Sequence, residues 1–147
     1  MKRFLSQAMN VDHRGCFWTA LDQPWAEVNY VETLANKVRG NHYHQYTYEL
    51  FFIISGEIEI SIESLQSGER TTFLATKGEQ ILIEPYELHT FRTKTNAQWI
   101  AMLSQKIDPH NPDFHRLSSA APAHQEGDID VGLPSLVPTQ PLSLLDN

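Results

Sequence analysis

Polar and apolar residues alternate along several short stretches of the first hundred residues. Residues 57–63 read Glu-Ile-Glu-Ile-Ser-Ile-Glu, the period-two pattern of a strand with one buried and one solvated face. Residues 50–54 are apolar at every position, which predicts a central strand covered on both sides. Shorter candidate strands lie at 71–74, 80–83 and 98–102.

Turn-forming residues separate these stretches. The turns fall at 55–56, 67–69, 77–79 and 95–96, and three of the four contain glycine. Short strands divided by turns about every ten residues indicate an all-β sandwich or barrel. No long amphipathic helical pattern competes with this interpretation.

The composition of the chain changes near residue 104. Six of the eight prolines follow this point, and Phe114 is the only aromatic residue beyond it. Such a segment cannot form a packed core by itself, so it is either flexible or held against the barrel or a partner subunit. We predict one β-barrel domain over residues 1–103, including an N-terminal strand region, and a Pro-rich C-terminal extension over residues 104–147.

Charge and composition narrow the possible partners. The net charge of −7 disfavours sequence-independent binding to nucleic acid or to an anionic membrane, because both require a basic patch. The single cysteine, Cys16, excludes an internal disulfide and fits a reducing cytoplasm. The sequence shows neither a signal peptide nor an apolar run near eighteen residues. We expect a cytoplasmic protein that binds a small molecule.

Three histidines and one glutamate are spaced so that a β-sandwich can bring them together. His42 and His44 are two residues apart, so on a strand they point to the same face. Glu49 shares its parity with Phe51, which turns the carboxylate inward, where a charge is costly unless it is paired or bound to metal. His89 follows a proline turn at the expected start of another strand.

Three imidazoles and one carboxylate suit a single divalent ion. Zinc comes first among the candidates zinc, nickel, iron(II) and manganese, although the ligand types alone do not select one. The alternative is that these four residues are unrelated surface or core residues, which their shared spacing disfavours. The remaining histidines lie in loop-like or tail contexts and are interpreted as ordinary residues: His13, His110, His115 and His124.

The same residues resemble the motifs of the cupin superfamily. Residues 40–56 resemble the first cupin motif, which is HxH, four residues, Glu, six residues and Gly, and residues 78–91 resemble the second, an apolar strand, a proline turn and His. Thr93 stands where many cupins carry Asn, a position that is not a ligand. The resemblance implies a single cupin barrel, a double-stranded β-helix or jelly roll. It implies four metal ligands: His42, His44, Glu49 and His89.

Three further segments are similar to one branch of the cupins. They are D-H-R-G-C-F at 12–17, R-G-N-H-Y-H at 39–44 and D-P-H-N-P-D at 108–113. They resemble the nucleotide-sugar 3,5-epimerase group, most closely the cupin domain of capsular-polysaccharide assembly reductase-epimerases. The resemblance implies epimerisation or isomerisation next to a ketone on a nucleotide-linked sugar, in polysaccharide precursor synthesis. That branch usually carries the cupin behind a reductase domain, which this sequence lacks, and two explanations stay open: a separate reductase or a changed substrate.

The resemblance also implies roles for individual residues. Arg14 and Arg39 would hold the diphosphate, and the alternative for both is an ordinary ion pair at a strand end. In metal-free epimerases of the wider group, the histidine matching His42 is the base and a tyrosine is the acid. His42 cannot ligate metal and abstract a proton with the same lone pair, so we assign it to the metal and leave the base unassigned. Candidates for acid or positioning roles are Tyr43, Tyr46, Tyr48 and Tyr86.

Other functions stay open at this point. A second class is a different metal-dependent cupin enzyme, such as a dioxygenase, a lyase or a small-acid isomerase, and a third is a non-catalytic cupin that binds a small molecule. No helix-turn-helix segment accompanies the barrel, which disfavours a transcriptional sensor. We expect a homodimer, with residues 28–34 as an edge strand available for pairing.

Overall fold

Strands make up all the regular structure described for this chain. The computed structural model describes residues 1–5, 8–20 and 23–117, which contain eleven β-strands and no helix. The strands are β1 (Lys2–Leu5), β2 (Ala8–Asp12), β3 (Gly15–Trp18), β4 (Glu27–Thr33), β5 (Val38–His42), β6 (Glu49–Ser55), β7 (Ile58–Ser64), β8 (Arg70–Ala75), β9 (Glu79–Ile83), β10 (Glu87–Thr93) and β11 (Ala97–Leu103). The described residues accordingly include no helix that could cross a membrane.

The strands form two antiparallel sheets and one hairpin. The larger sheet has the order β1-β9-β6-β11-β4, the smaller has the order β5-β10-β7-β8, and β2 pairs with β3. Consecutive strands therefore often belong to different sheets: β6 lies between β9 and β11, whereas β7 lies between β10 and β8. This exchange of strands between two facing sheets is the jelly-roll arrangement. The predicted all-β fold is confirmed.

The core lies between the two sheets. On β7, Ile58, Ile60 and Ile62 are buried while the residues between them are half-buried, as the alternating pattern predicts. Removal of this apolar surface from water is the main term that holds the sheets together. The other buried members of the cluster come from both sheets: Phe51, Ile53, Ala75, Ile81, Ile83, Phe91, Ala97, Trp99 and Ala101.

The central strand β6 carries buried residues on both of its faces. Phe51 and Ile53 belong to the core between the sheets, whereas Leu50 belongs to a second cluster on the opposite face. The second cluster also contains Leu82 and Met102, with Ala20, Trp25, Phe52 and Ile100 packed against them. The apolar run at 50–54 is therefore explained as predicted, by a central strand with buried residues on both faces.

Residues 104–117 leave β11 and return to the barrel. The Ser104 N–H donates to the Tyr48 carbonyl at 2.9 Å, and Tyr43 and His115 exchange two backbone hydrogen bonds of 2.9 Å. This part of the C-terminal extension is therefore held against the barrel. The rest of the predicted Pro-rich extension, residues 118–147, lies outside the described residues, and the domain division after residue 103 stays a prediction.

Candidate metal centre

Four side chains, three from separate strands and one from the loop after β5, converge inside the barrel. His42 is the last residue of β5, Glu49 is the first of β6, His89 is the third of β10, and His44 lies two residues beyond β5. Each residue contributes one potential ligand atom, a ring nitrogen or a carboxylate oxygen, and these four atoms all lie within 4.8 Å of one another. His89 is 0%, His44 3% and Glu49 8% exposed. The structure thus brings together the four residues whose spacing indicates a metal site.

A β-bulge aims His42 and His89 at the same point. The two residues are direct cross-strand partners, and the register then shifts so that Asn41 has no partner on β10. Gly40 and Asn41 have φ angles of 87° and 58°, in the left-handed region that glycine and asparagine tolerate best. A Cβ on Gly40 would lie 2.7 Å from the His89 carbonyl oxygen. Glycine at this position therefore allows the two histidine-bearing strands to approach.

Glu49 carries the negative charge of the cluster. Its Oε2 lies 3.3 Å from His44 Nε2 and 3.5 Å from His89 Nε2. Burial by itself raises the pKa of this carboxyl, but the contacts with His44 and His89 outweigh burial and lower the pKa well below its usual range. For His44, burial lowers the pKa, and the hydrogen bond and charge of Glu49 outweigh it and raise the pKa. The Glu49 carboxylate is therefore ionised at neutral pH.

Two buried ring nitrogens, His42 Nδ1 and His89 Nε2, have no hydrogen-bond partner in the part of the chain that the structure describes. The 3.5 Å contact of His89 Nε2 with Glu49 is in ion-pair range without hydrogen-bond geometry. A buried polar atom left unpaired costs about 1–3 kcal/mol. His89 Nδ1 lies 3.1 Å from the Glu87 carbonyl, so Nε2 is the nitrogen left for a ligand. A divalent cation would use these lone pairs, and the residues fit such an ion.

His42 is held as a neutral imidazole. Burial, followed by the charge of the nearby His89, lowers the pKa of His42 to about 3, although Glu49 acts in the opposite direction. The His42 ring also stacks on Phe114, with the ring centroids 3.8 Å apart and an interplanar angle of 27°. The lone pair of His42 is therefore unprotonated at physiological pH, as a metal ligand requires.

Asp113 contacts the site from the segment that follows β11. Its carboxylate accepts hydrogen bonds from the backbone N–H groups of Gln45 at 2.7 Å and of Tyr46 and Thr47 at 2.9 Å, and from the Thr47 hydroxyl at 2.8 Å. Burial raises the pKa of Asp113, but these hydrogen bonds outweigh burial and lower it to about 2. The Asp113 carbonyl also accepts a hydrogen bond from His44 Nδ1. The only sequence signal for this residue is its place in the D-P-x-x-P-D segment.

His115 lies beside the site and not in a free tail. Its ring centroid is 5.3 Å from that of Tyr43, and its Nε2 is 3.2 Å from Asp113 Oδ1. The Tyr43 ring in turn stacks on Tyr86, with the centroids 6.2 Å apart. Both tyrosines are half-buried, and their acid or positioning roles stay predictions.

The two arginines predicted to hold a diphosphate lie on different elements. Arg14 is at the turn between β2 and β3, its side chain is 77% exposed, and it pairs with Asp12 at 2.7 Å. Arg39, on β5, donates from Nε to Thr33 Oγ1 at 2.7 Å. These contacts do not involve the four-residue cluster, so the diphosphate role of both arginines stays a prediction.

Thr93, where many cupins carry Asn, has a structural role. Its hydroxyl donates to the Leu34 carbonyl at 2.6 Å and accepts from the Lys37 N–H at 3.0 Å. These bonds tie the end of β10 to the loop between β4 and β5. These contacts agree with the prediction that residue 93 is not a metal ligand.

The jelly-roll barrel and the residues of both motifs meeting inside it define this chain as a cupin. A family model described as "Polysaccharide biosynthesis C-terminal domain" matches residues 10–114. The match covers more than half of the chain, which therefore belongs to this family. A search of curated proteins by sequence gives no match.

Solved structures with the same fold include three proteins that act in sugar chemistry or polysaccharide assembly. The capsular polysaccharide assembling protein CapF from Staphylococcus aureus is 26% identical, with a TM-score of 0.59, over 74% of this chain and 31% of that chain. This chain thus spans about a third of CapF.

The other two structures are less similar in sequence and show the fold alone. The sugar 3,4-ketoisomerase QdtA from Thermoanaerobacterium thermosaccharolyticum, solved with TDP, is 16% identical, with a TM-score of 0.67, over 80% of this chain and 88% of that chain. The dTDP-4-dehydrorhamnose 3,5-epimerase from Sulfolobus tokodaii is 17% identical, with a TM-score of 0.61, over 69% of each chain.

Proposed function

We propose that this cupin binds one divalent metal ion and catalyses epimerisation or isomerisation next to the ketone of a nucleotide-linked sugar. The observation that carries the proposal is the buried cluster of three histidines and one carboxylate, in which two ring nitrogens have no partner in the described part of the chain. Membership of a polysaccharide biosynthesis family supports the substrate class. So do the similar folds, among them a ketoisomerase solved with TDP-4-keto-6-deoxyglucose.

The four cluster residues are proposed as the ligands: His42, His44, Glu49 and His89. What a bound divalent ion supplies is a Lewis acid for the charge that develops on the carbonyl oxygen when the adjacent proton is removed. The chain itself provides three imidazoles and one anionic carboxylate in a largely buried cluster. Zinc is our first expectation for this donor set, ahead of nickel, iron(II) and manganese.

The pKa of His42 favours the ligand role over the role of general base. A base works best when its pKa is near the working pH, whereas burial and the charge of His89 lower the pKa of His42 to about 3. An imidazole this weakly basic accepts a proton from carbon poorly. His42 would be the base only in a metal-free reaction, and its environment does not support that alternative.

The decisive experiment is hydrogen exchange next to the ketone. Elemental analysis of the purified protein first identifies the metal, and dTDP- and UDP-linked 4-keto sugars are then incubated with the protein in deuterated water. We expect deuterium at the carbon adjacent to the ketone by NMR or mass spectrometry, and none after chelation of the metal or with Glu49→Ala. Absence of both exchange and nucleotide binding would exclude the proposal.

The same samples separate the alternative functions. Oxygen uptake with iron(II) and no exchange would indicate a dioxygenase, and metal binding without turnover of either class would indicate a binding module. The proposed diphosphate contacts are tested by the affinity of the protein for dTDP, which we expect Arg14→Ala and Arg39→Ala to weaken. The exposed Arg70, which pairs with Glu63 at 3.0 Å, provides the matched control Arg70→Ala.

We also expect a homodimer in a reducing compartment. Strand β4 lies at the edge of the larger sheet, and its Val28 and Tyr30 are 59% and 55% exposed, which suits pairing with a second copy. Cys16 is an exposed free thiol, which fits a cytoplasmic location. Light scattering coupled to size-exclusion chromatography would measure the mass, and a monomer over the working concentration range would contradict the dimer.

A further inference from the structure

Asp113 links two parts of the candidate metal centre through one carboxylate. The turn at residues 45–47 connects His42, at the end of β5, and His44, just beyond it, with Glu49 at the start of β6. Three consecutive backbone N–H groups of this turn and one hydroxyl all donate to the Asp113 carboxylate, at 2.7–2.9 Å. The four hydrogen bonds determine the path of the chain between three of the four cluster residues.

The backbone of the same residue orients one of the ligands. The Asp113 carbonyl accepts from His44 Nδ1, so Nδ1 carries the proton and Nε2 faces the cluster, 3.3 Å from Glu49 Oε2. Metal-ligating histidines commonly donate their second N–H to a carbonyl or carboxylate, which fixes the tautomer and the ring orientation. His89 uses the Glu87 carbonyl of its own strand in this way. His44 instead depends on a residue 69 positions away in the sequence.

The neighbours of Asp113 hold the segment in register. Tyr43 and His115 exchange two backbone hydrogen bonds, so the residue before His44 is paired with the residue two positions after Asp113. Phe114 then stacks on His42. A shift of the segment would therefore move the carbonyl beside His44 and the ring that covers His42 together.

We propose that Asp113 is a positioning residue of the metal centre: its carboxylate anchors the 45–47 turn and thereby places its own carbonyl to hold His44 with Nε2 toward the ion. The inference rests on the metal site of the proposed function. Asp113 is not a ligand itself and acts through His44.

Asp113→Asn tests this role because it keeps the size of the side chain but replaces one carboxylate oxygen with an amide NH₂ group. This donor would face the N–H and O–H donors of the 45–47 turn, so hydrogen bonds to the turn would be lost. We expect the affinity for Zn²⁺ to fall by about tenfold or more, the usual effect of losing such a supporting contact, as measured by competition with a chromogenic chelator. We expect the absorption spectrum of the Co²⁺-substituted protein to change, because the His44 ligand is reoriented. In the metal-free wild type, we expect an NMR signal from the Nδ1–H proton of His44, because its hydrogen bond slows exchange with water. In metal-free Asp113→Asn, this signal should be lost.

The matched control is Asp108→Asn in the same segment. The Asp108 carboxylate accepts a hydrogen bond from the His110 N–H at 2.8 Å. We expect this variant to keep the wild-type Zn²⁺ affinity, Co²⁺ spectrum and His44 signal. An Asp113→Asn protein that melts earlier but keeps all three properties would show that Asp113 only caps the turn, and would overturn the proposal. If the wild type bound no metal, the proposed metal site would be refuted. The His44 signal would still show whether Asp113 orients this ring. Loss of the signal in Asp113→Asn would support the positioning contact, and retention of the signal would overturn it.

Discussion

Acidification should destabilise the metal-free protein through His42. The pKa of this imidazole is lowered from 6.5 to about 3 by burial and by the charge of His89. Between these values the unfolded chain binds a proton that the native protein does not bind. Because the unfolded state binds more protons in this range, the free energy of unfolding falls as the pH falls.

The magnitude follows from the same two pKa values. A group with these pKa values lowers the free energy of unfolding by up to about 1.4 kcal/mol for each pH unit of acidification. Integrated from pH 6.5 to about pH 5, the decrease in the free energy of unfolding is about 1.6 kcal/mol. For a domain of this size, that corresponds to a decrease in Tm of roughly 5 °C.

The other groups of the site with shifted pKa values contribute outside this window. His44, whose pKa is raised, contributes stability that is fully present below 6.5 and is lost only at higher pH. The lowered pKa values of Glu49 and Asp113 matter only as the pH falls below their ordinary values of 4.5 and 3.8. Among these groups with shifted pKa values, only His42 therefore lowers the free energy of unfolding between about pH 6.5 and pH 5.

Urea unfolding of chelator-treated protein at both ends of the window measures this effect. His42→Gln removes the titrating group, so we expect its free energy of unfolding to change by less than about 0.5 kcal/mol over the same range. Only the pH-dependent difference within each protein is compared, since the substitution also changes stability by itself. A wild type and a variant with the same pH dependence would refute the assignment to His42.

Two further substitutions test the site and its backbone. Glu49→Ala should weaken metal binding by at least about tenfold, equivalent to about 1.4 kcal/mol, in a chelator competition, whereas the exposed Glu57→Ala should not; an unchanged affinity would refute the ligand assignment. Gly40→Ala should lower the free energy of unfolding in urea by more than about 2 kcal/mol, because its φ is 87° and the new Cβ would lie 2.7 Å from the His89 carbonyl oxygen. Gly68→Ala, with φ of 74° but nothing within 4 Å, should cost only about 1 kcal/mol, and equal losses would contradict the steric explanation.

The parity of residues along a strand was sufficient to predict much of this site. Because side chains alternate between the two faces of a strand, the position of Glu49 relative to Phe51 and Ile53 already indicated an inward carboxylate, and Glu49 is buried in the structure. His89 was expected to begin a strand, and β10 begins two residues earlier. His42 and His44 were expected to share one strand, whereas β5 ends at His42.

The periodic pattern therefore determined the all-β fold, the core strands and the inward position of Glu49, because each depends on which face of a strand a side chain occupies. The spacing of the histidines and their resemblance to the cupin motifs identified the rest of the candidate site. The tertiary structure alone decided that Asp113 holds the turn before Glu49, that its carbonyl meets His44 and that Phe114 covers His42. These contacts join residues about 70 positions apart, through a segment with no regular hydrophobic period. Its proline-rich composition showed that it forms no core of its own, but where it packs depends on the surface that the finished barrel presents.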